Sequence, residues 1–269
     1  FSGSYDTQDL KVWSMNSKGK LVPNSTDGVA FYYTTIDPET ENFTLSADVT
    51  VDSWKFTNGQ EGFGLMVADR VGENGSGNSF WNNSYMVSAT KVEYFWDAEA
   101  GQVSDAGDKY TMKLGVGSQE KIGVTPENLA ADTVVDDFQT AMRTLETSAV
   151  ASGQGAGTYN MVGGYEAALK DITDVNPQTT FHMTIQRNNT GYFLSYTNAA
   201  TGETVTNKYY HGDNGDELTR LDENNIYVGF YASRSAKVSF SNMSLTTVAP
   251  ENDLSLIHIS EPTRLQLIS

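Results

Sequence analysis

From Phe43 to Val51 the chain alternates without interruption: Phe43, Leu45, Ala47, Val49 and Val51 are apolar, and Thr44, Ser46, Asp48 and Thr50 between them are polar. A period of two places the first set on one face and the second on the other, which marks a strand with one dry side. The same grammar recurs. Val29, Phe31 and Tyr33 alternate with Ala30, Tyr32 and Thr34, and Phe181, Met183 and Ile185 alternate with His182, Thr184 and Gln186. Further strand signals cover residues 62–69, 84–89, 192–197, 203–210, 226–232 and 237–247, with turn signals at Asn58-Gly59, 188–191 and 199–202. Strands joined by such turns predict an all-β fold, an antiparallel β-sandwich over residues 1–248, followed by a linker at 249–253. The short polar connector 37–42 contains Pro38, so the strands on either side of it are expected to be neighbours in one sheet.

One segment departs from this pattern. Thr125-Pro126-Glu127 supplies an N-cap and a Pro at the first helical position, and Val134, Phe138, Met142 and Leu145 recur at helical spacing. An inserted amphipathic α-helix over 126–149 is predicted, with flexible flanks at 115–123 and 153–157, packed over one edge or mouth of the sandwich. Its apolar stripe covers the domain's own core or, as the alternative, docks a partner.

Charge narrows the partners. With 17 Lys and Arg against 34 Asp and Glu, the formal charge of −17 repels phosphate backbones and anionic membrane surfaces, so nucleic acid is excluded as an expected partner. No apolar run approaches the roughly 20 residues a spanning helix needs, so no membrane insertion is expected. The absence of Cys removes disulfides, thiolate chemistry and Cys-ligated zinc. Cys avoidance with abundant Asn, Thr, Gly and Tyr fits an exported bacterial protein, secreted or on the cell surface.

Three motifs carry a family likeness. Residues 62–70, GFGLMVADR, resemble the "GLM, then Arg/Asp" strand of bacterial concanavalin A-like and laminin G-like domains. Residues 181–196 are similar to their strand, Asn/Gly turn and aromatic strand, and 227–233 with 238–243 to their closing pair of strands. More narrowly, DGVAFYY at 27–33 and NMVGGY at 160–165 resemble domains of large exported bacterial proteins, some of which also carry pectate-lyase-like parallel β-helices. The resemblance implies a concanavalin A-like jelly roll, covalently linked neighbouring domains and polysaccharide or glycan partners. From Leu254 to Ser269 the chain resembles the translation of a sequencing adapter, so that tail is expected not to have been selected to fold, and the native protein to continue beyond about Asp253.

Catalytic signals are weak. Glycoside hydrolysis needs two carboxyls flanking the bond, and the Glu-x-Asp-x-x-Glu strand of related glucanases is absent. Glu93, Asp97 and Glu99 would share a face only if their strand ran unbroken, and Gly101 argues that it ends. No Gly-x-Ser-x-Gly elbow accompanies His182 or His211, which read as exposed or hydrogen-bonded structural residues. A lyase would set a cation or a basic residue beside a substrate carboxylate; Lys and Arg are too scattered in sequence to nominate one.

Sugar recognition asks instead for aromatic faces ringed by polar groups. Trp81, Asn83 and Tyr85 lie in one such stretch, Tyr94 and Trp96 in a second, and Tyr165 after Gly163-Gly164 in a third, with Tyr209-Tyr210-His211 a further candidate. Concanavalin A-like domains frequently hold Ca²⁺ through oxygen ligands; Asp27, Asp69, Asp213 and Asp216, with Glu73 and Asn74, are the candidate donors, against ordinary solvated acidic loops. The expectation is a non-catalytic carbohydrate-binding accessory module of a polysaccharide-degrading protein. The alternatives are a structural or adhesive spacer and a glycoside hydrolase or polysaccharide lyase.

Overall fold

The computed structural model describes residues 10–14, 29–53, 62–71, 82–93, 96–97, 102–103, 111–121, 126–127, 164–168, 180–198, 204–212, 218–233 and 236–253. Its strands, in chain order, are β1 (Leu10–Trp13), β2 (Ala30–Ile36), β3 (Asn42–Ser53), β4 (Gly62–Ala68), β5 (Ser84–Glu93), β6 (Trp96–Asp97), β7 (Gln102–Val103), β8 (Thr111–Lys121), β9 (Gly164–Ala168), β10 (Thr180–Asn188), β11 (Gly191–Asn198), β12 (Thr204–Tyr210), β13 (Ile226–Ala232) and β14 (Lys237–Val248). Two six-stranded antiparallel sheets hold all but β6 and β7. Sheet A runs β1-β14-β3-β10-β11-β12 and sheet B runs β2-β13-β4-β5-β8-β9. The all-β sandwich predicted from alternation is the observed fold.

The core forms where the dry faces meet. Phe43, Leu45, Ala47, Val49 and Val51 of β3 are buried, as are Phe181, Met183 and Ile185 of β10 beside them in register. Sheet B answers with Phe63, Leu65 and Val67 of β4 and with Ile226, Val228, Phe230 and Ala232 of β13. Burying each large side chain of this kind is worth about 1.5–3 kcal/mol, so the interleaved faces dominate the stability of the fold. Sheet B also has a second buried cluster of Met66, Ala68, Met86 and Tyr231, with Val29 and Phe31 packed against it. That explains why every residue of β4 is buried, a pattern with no wet face.

The glycines in the family-like motifs have a steric reason. Gly64 has φ 148°, and a Cβ there would lie 2.2 Å from the Val87 carbonyl oxygen on β5. On β13, a Cβ on Gly229 would lie 2.0 Å from the Tyr32 oxygen, so β2 and β13 approach closely only because that position is bare.

Two expectations need correction. β2 and β3 are not neighbours: β2 pairs with β13 in sheet B, and both edges of β3 are taken by β10 and β14 in sheet A. The connector winds into a turn, with Thr40 and Glu41 N–H both donating to the Asp37 carbonyl, and so carries the chain across the sandwich instead of closing a hairpin. Residues read as a flexible flank at 115–123 belong largely to β8, which pairs with β5 and β9; Gly115 and Gly117 masked the alternation of Met112, Leu114 and Val116. Residues 249–253, expected as a linker, are tied to sheet A by side-chain hydrogen bonds. Pro250–Asn252 form a 3₁₀ turn, and the Asn42 amide donates to Asn189 Oδ1 and to Asp253 Oδ2, both at 2.7 Å, while Asn189 Nδ2 donates to the Pro250 carbonyl. In keeping with the expected break of the acidic strand, Glu93 and Asp97 do not share one strand: β5 ends at Glu93 and Asp97 belongs to β6, which pairs with β7. Of the expected helix over 126–149, Pro126 and Glu127 are helical and the rest lies outside the described residues, as do the Asn58-Gly59 turn and everything from Leu254 onward.

Candidate functional site: a cleft at one end of sheet B

The chain leaves β4 through Asp69 and Arg70 and enters β13 through Leu221 to Asn225, so two separate segments converge at one end of sheet B. Between them lies an open cleft of about 470 Å³, lined among others by Asp69, Arg70, Arg220, Asp222, Glu223 and Tyr227. Its floor is anchored by Asp69, which is fully buried. Asn83 N–H donates to Asp69 Oδ1 at 2.7 Å and Asn83 Nδ2 donates to Oδ2 at 2.6 Å, and the Leu221 N–H adds a third bond to the same carboxyl. The Asp69 N–H in turn donates to the Asn83 carbonyl. Burial raises the Asp69 carboxyl from 3.8 to about 7, opposed only in part by these donors.

The rim is built on Asp222. Its Oδ1 accepts the N–H groups of Asn224 and Asn225, both at 3.0 Å, and its Oδ2 accepts the Tyr227 hydroxyl at 2.9 Å. Desolvation pushes this carboxyl up, but the donors outweigh it and the net shift is downward. Tyr227 is shifted up, first by burial and then by its bond to Asp222. Tyr33 of β2 meets the Tyr227 ring edge-on at 5.5 Å and is itself 44% exposed. Two arginines from distant parts of the chain, a pinned tyrosine and a neighbouring open ring therefore share one end of the sheet. The arrangement can hydrogen-bond anionic or hydroxylated ligands and offer an apolar ring face.

Most of the residues nominated from sequence lie elsewhere. Tyr85 is core: its ring stacks on Tyr209 at 4.4 Å and tilts against Tyr192 at 5.2 Å, with no exposed surface, so it does not reach a surface ligand. Asn83 is equally buried and is committed to Asp69. Tyr165 stands opposite Leu114 on the edge strand β9, and Trp96 opposite Val103 in the small β6–β7 pair. Trp81 and Tyr94 lie outside the described residues. Tyr210 is exposed, with the Phe193 ring edge-on at 6.4 Å, while His211 Nε2 sits 3.0 Å from the Asn188 carbonyl oxygen. His182 pairs with Asp48 at 2.8 Å on the solvent face of sheet A, and Asn242 Nδ2 donates to the other Asp48 oxygen. This is a structural pairing across β10, β3 and β14, as expected for a strand His.

Of the metal donors, Asp69 is buried and both of its carboxyl oxygens accept Asn83 N–H groups. Asp27, Asp213 and Asp216, with Glu73 and Asn74, lie outside the described residues, and among the described ones no three His, Asp or Glu gather as a metal site. Sequence reading missed Arg70, Arg220 and Tyr227. Arg70 closes the GFGLMVADR motif and Asp222 precedes Asn224 and Asn225, an Asx-type turn signal that was legible, but nothing local links the two segments.

The fold and cleft define an antiparallel β-sandwich domain with a polar, aromatic-edged surface site. Residues 6–90 and 123–250 match the pectate disaccharide-lyase N-terminal domain, and the chain belongs to that family. It is 27% identical over 253 residues to a pectate disaccharide-lyase of Dickeya chrysanthemi, covering 92% of this chain and 28% of that one. It is 25% identical over 250 residues to pectate lyase L of Thermoclostridium stercorarium, covering 92% of this chain and 16% of that protein. The chain thus spans well under half of these relatives. Among solved structures, winged bean acidic lectin in complex with methyl-α-D-galactose matches at a TM-score of 0.42 and 12% identity, over 92% of this chain and 94% of the lectin.

Proposed function

We propose that this domain is a non-catalytic carbohydrate-binding module that holds a pectate-cleaving neighbour on its polymer. The observation that carries this reading is the make-up of the cleft: the Asp69 and Asp222 carboxyls accept hydrogen bonds from neighbouring protein groups, and the lining combines them with arginine and tyrosine, residue types that saccharide sites use. General acid-base chemistry needs a carboxyl that reaches the substrate proton, and Asp69 has no exposed surface. Membership of a family named for a lyase's N-terminal domain supports pectate-type polymers as the partner. The reading places the protein outside the cell. We further propose Asp27, Asp213 and Asp216 as Ca²⁺ ligands, and a melting temperature lowered by chelator is the expected sign.

Affinity gels cast with pectin, xylan, glucan and host glycans test the binding. Retardation on at least one polymer, without release of cleavage products, is the expected result. Mobility unchanged on every polymer would instead favour a spacer domain, and product release lost on changing Glu93 or Asp97 would make the domain an enzyme.

A further inference from the structure

We infer that residues 249–253 are a rigid joint that fixes the direction in which the polypeptide leaves the sandwich, seated on the corner of sheet A at Asn42, Arg187 and Asn189. The matched family is an N-terminal domain whose limit falls at residue 250, and the chain covers only 28% and 16% of the two relatives. Domain limits of that kind usually fall in flexible segments that few contacts cross. This one is built differently. Ala249-Pro250-Glu251-Asn252-Asp253 contains neither Gly nor Ser, and Pro250 restricts its own φ at the start of the 3₁₀ turn. The strand that leads into it stays paired to its last residue, with Val248 opposite Asn42.

Asn42 is the centre of the seat. It is 1% exposed, its Nδ2 donates to Asn189 Oδ1 and to Asp253 Oδ2, both at 2.7 Å, and its Oδ1 accepts Arg187 Nη1 at 2.6 Å. Both N–H groups and the oxygen of this buried amide are thus matched, and one of the matches comes from beyond residue 250. Lifting the turn away would leave a buried N–H without its acceptor, a larger penalty than the net gain from an ordinary hydrogen bond. A second hold comes from the β10–β11 turn, where Asn189 Nδ2 donates at 2.8 Å to the Pro250 carbonyl, which also accepts the Asp253 N–H at 3.2 Å. Two separate segments of sheet A therefore grip the same five residues. A domain that follows is presented at a set angle to the sandwich and not on a loose tether; that use rests on the proposed function, whereas the joint itself does not.

The absence of Cys allows a direct test. In the 269-residue chain, nitroxide labels are placed on Thr206→Cys, exposed on β12, and on Leu254→Cys, the residue after the joint. A second pair, Thr206→Cys with the exposed Thr246→Cys of β14, reports on sheet A alone. Pulsed dipolar spectroscopy should give the first pair a single distance as narrow as that of the second. Asn189→Ala, at an exposed turn position, removes two of the bonds and should raise the population at other distances about tenfold, with the second pair unchanged. Asp253→Ala should act in the same direction.

A broad distribution for the first pair in the chain with its joint intact would overturn the inference. So would a narrow one that neither Asn189→Ala nor Asp253→Ala alters. Retention on polysaccharide gels is a separate readout, and its failure would remove the binding function while leaving the joint standing.

Discussion

Asp69 lies at the end of β4 with no exposed surface, and its carboxyl accepts Asn83 and Leu221 N–H groups while its titration point rises from 3.8 to about 7. Between those values the folded protein binds more protons than the unfolded chain, so its contribution to stability is fully present below pH 3.8 and is lost as pH rises through about 7. Stability should therefore increase on acidification across this window, with a limiting slope of about 1.4 kcal/mol per pH unit. Asp222 acts below it: its lowered carboxyl contributes stability that is lost only as pH falls beneath the ordinary range. Urea midpoints measured from pH 4 to 8 should show the first trend, and Asp69→Asn should fold and flatten it, since a neutral amide can pair with the Asn83 amide. A slope unchanged in that variant would assign the trend to other groups. At Gly64 the prediction is steric. An alanine Cβ would meet the Val87 oxygen at 2.2 Å, so Gly64→Ala should destabilise the fold by about 1–3 kcal/mol in the same unfolding experiment.

At the scale of elements, the end of sheet A is closed by a side-chain network centred on Asn42. Arg187 Nη1 donates to Asn42 Oδ1 at 2.6 Å, and the Asn42 amide reaches both Asn189 and Asp253. Asn42→Ala would leave Arg187 without that acceptor and free the 3₁₀ turn Pro250–Asn252, for an expected loss of about 1–3 kcal/mol. Faster hydrogen exchange at the Asn252 and Asp253 amides, which donate to Ala249 and Pro250, would locate the effect. None of this was visible in the sequence, because Asn42, Arg187 and Asp253 are polar residues whose meeting depends on how β3, β10 and the C-terminal turn are laid side by side. The strands themselves were legible wherever one face is wet: β3 and β10 show their alternation in the letters. β8 was missed where glycines interrupt the pattern, and the pairing of β2 was misjudged because periodicity reports a face and not a partner. In β14, Asn242 at φ 49° accompanies a register shift between Ser241 and Ser244, a bulge that a residue tolerant of the left-handed region permits.

For the whole molecule, a two-sheet core of alternating strands carries a site that neither sheet makes from one stretch of chain. Of the aromatics nominated as ligand contacts, Tyr85 and Tyr209 fill the core, while Tyr33 and Tyr227, which were not nominated, meet edge-on at the rim. Composition supplied the repulsion of polyanions, and only topology brings Arg70 and Arg220 to one cleft. Incubation of the isolated chain with polygalacturonate should accordingly give no rise in ultraviolet absorbance from unsaturated products. Isothermal titration of the chain with de-esterified oligogalacturonides reads binding and turnover in one trace. A saturable, stoichiometric heat that returns to baseline after each injection is the expected outcome; a flat trace, or heat that persists because bonds are being broken, would contradict a non-catalytic binding domain.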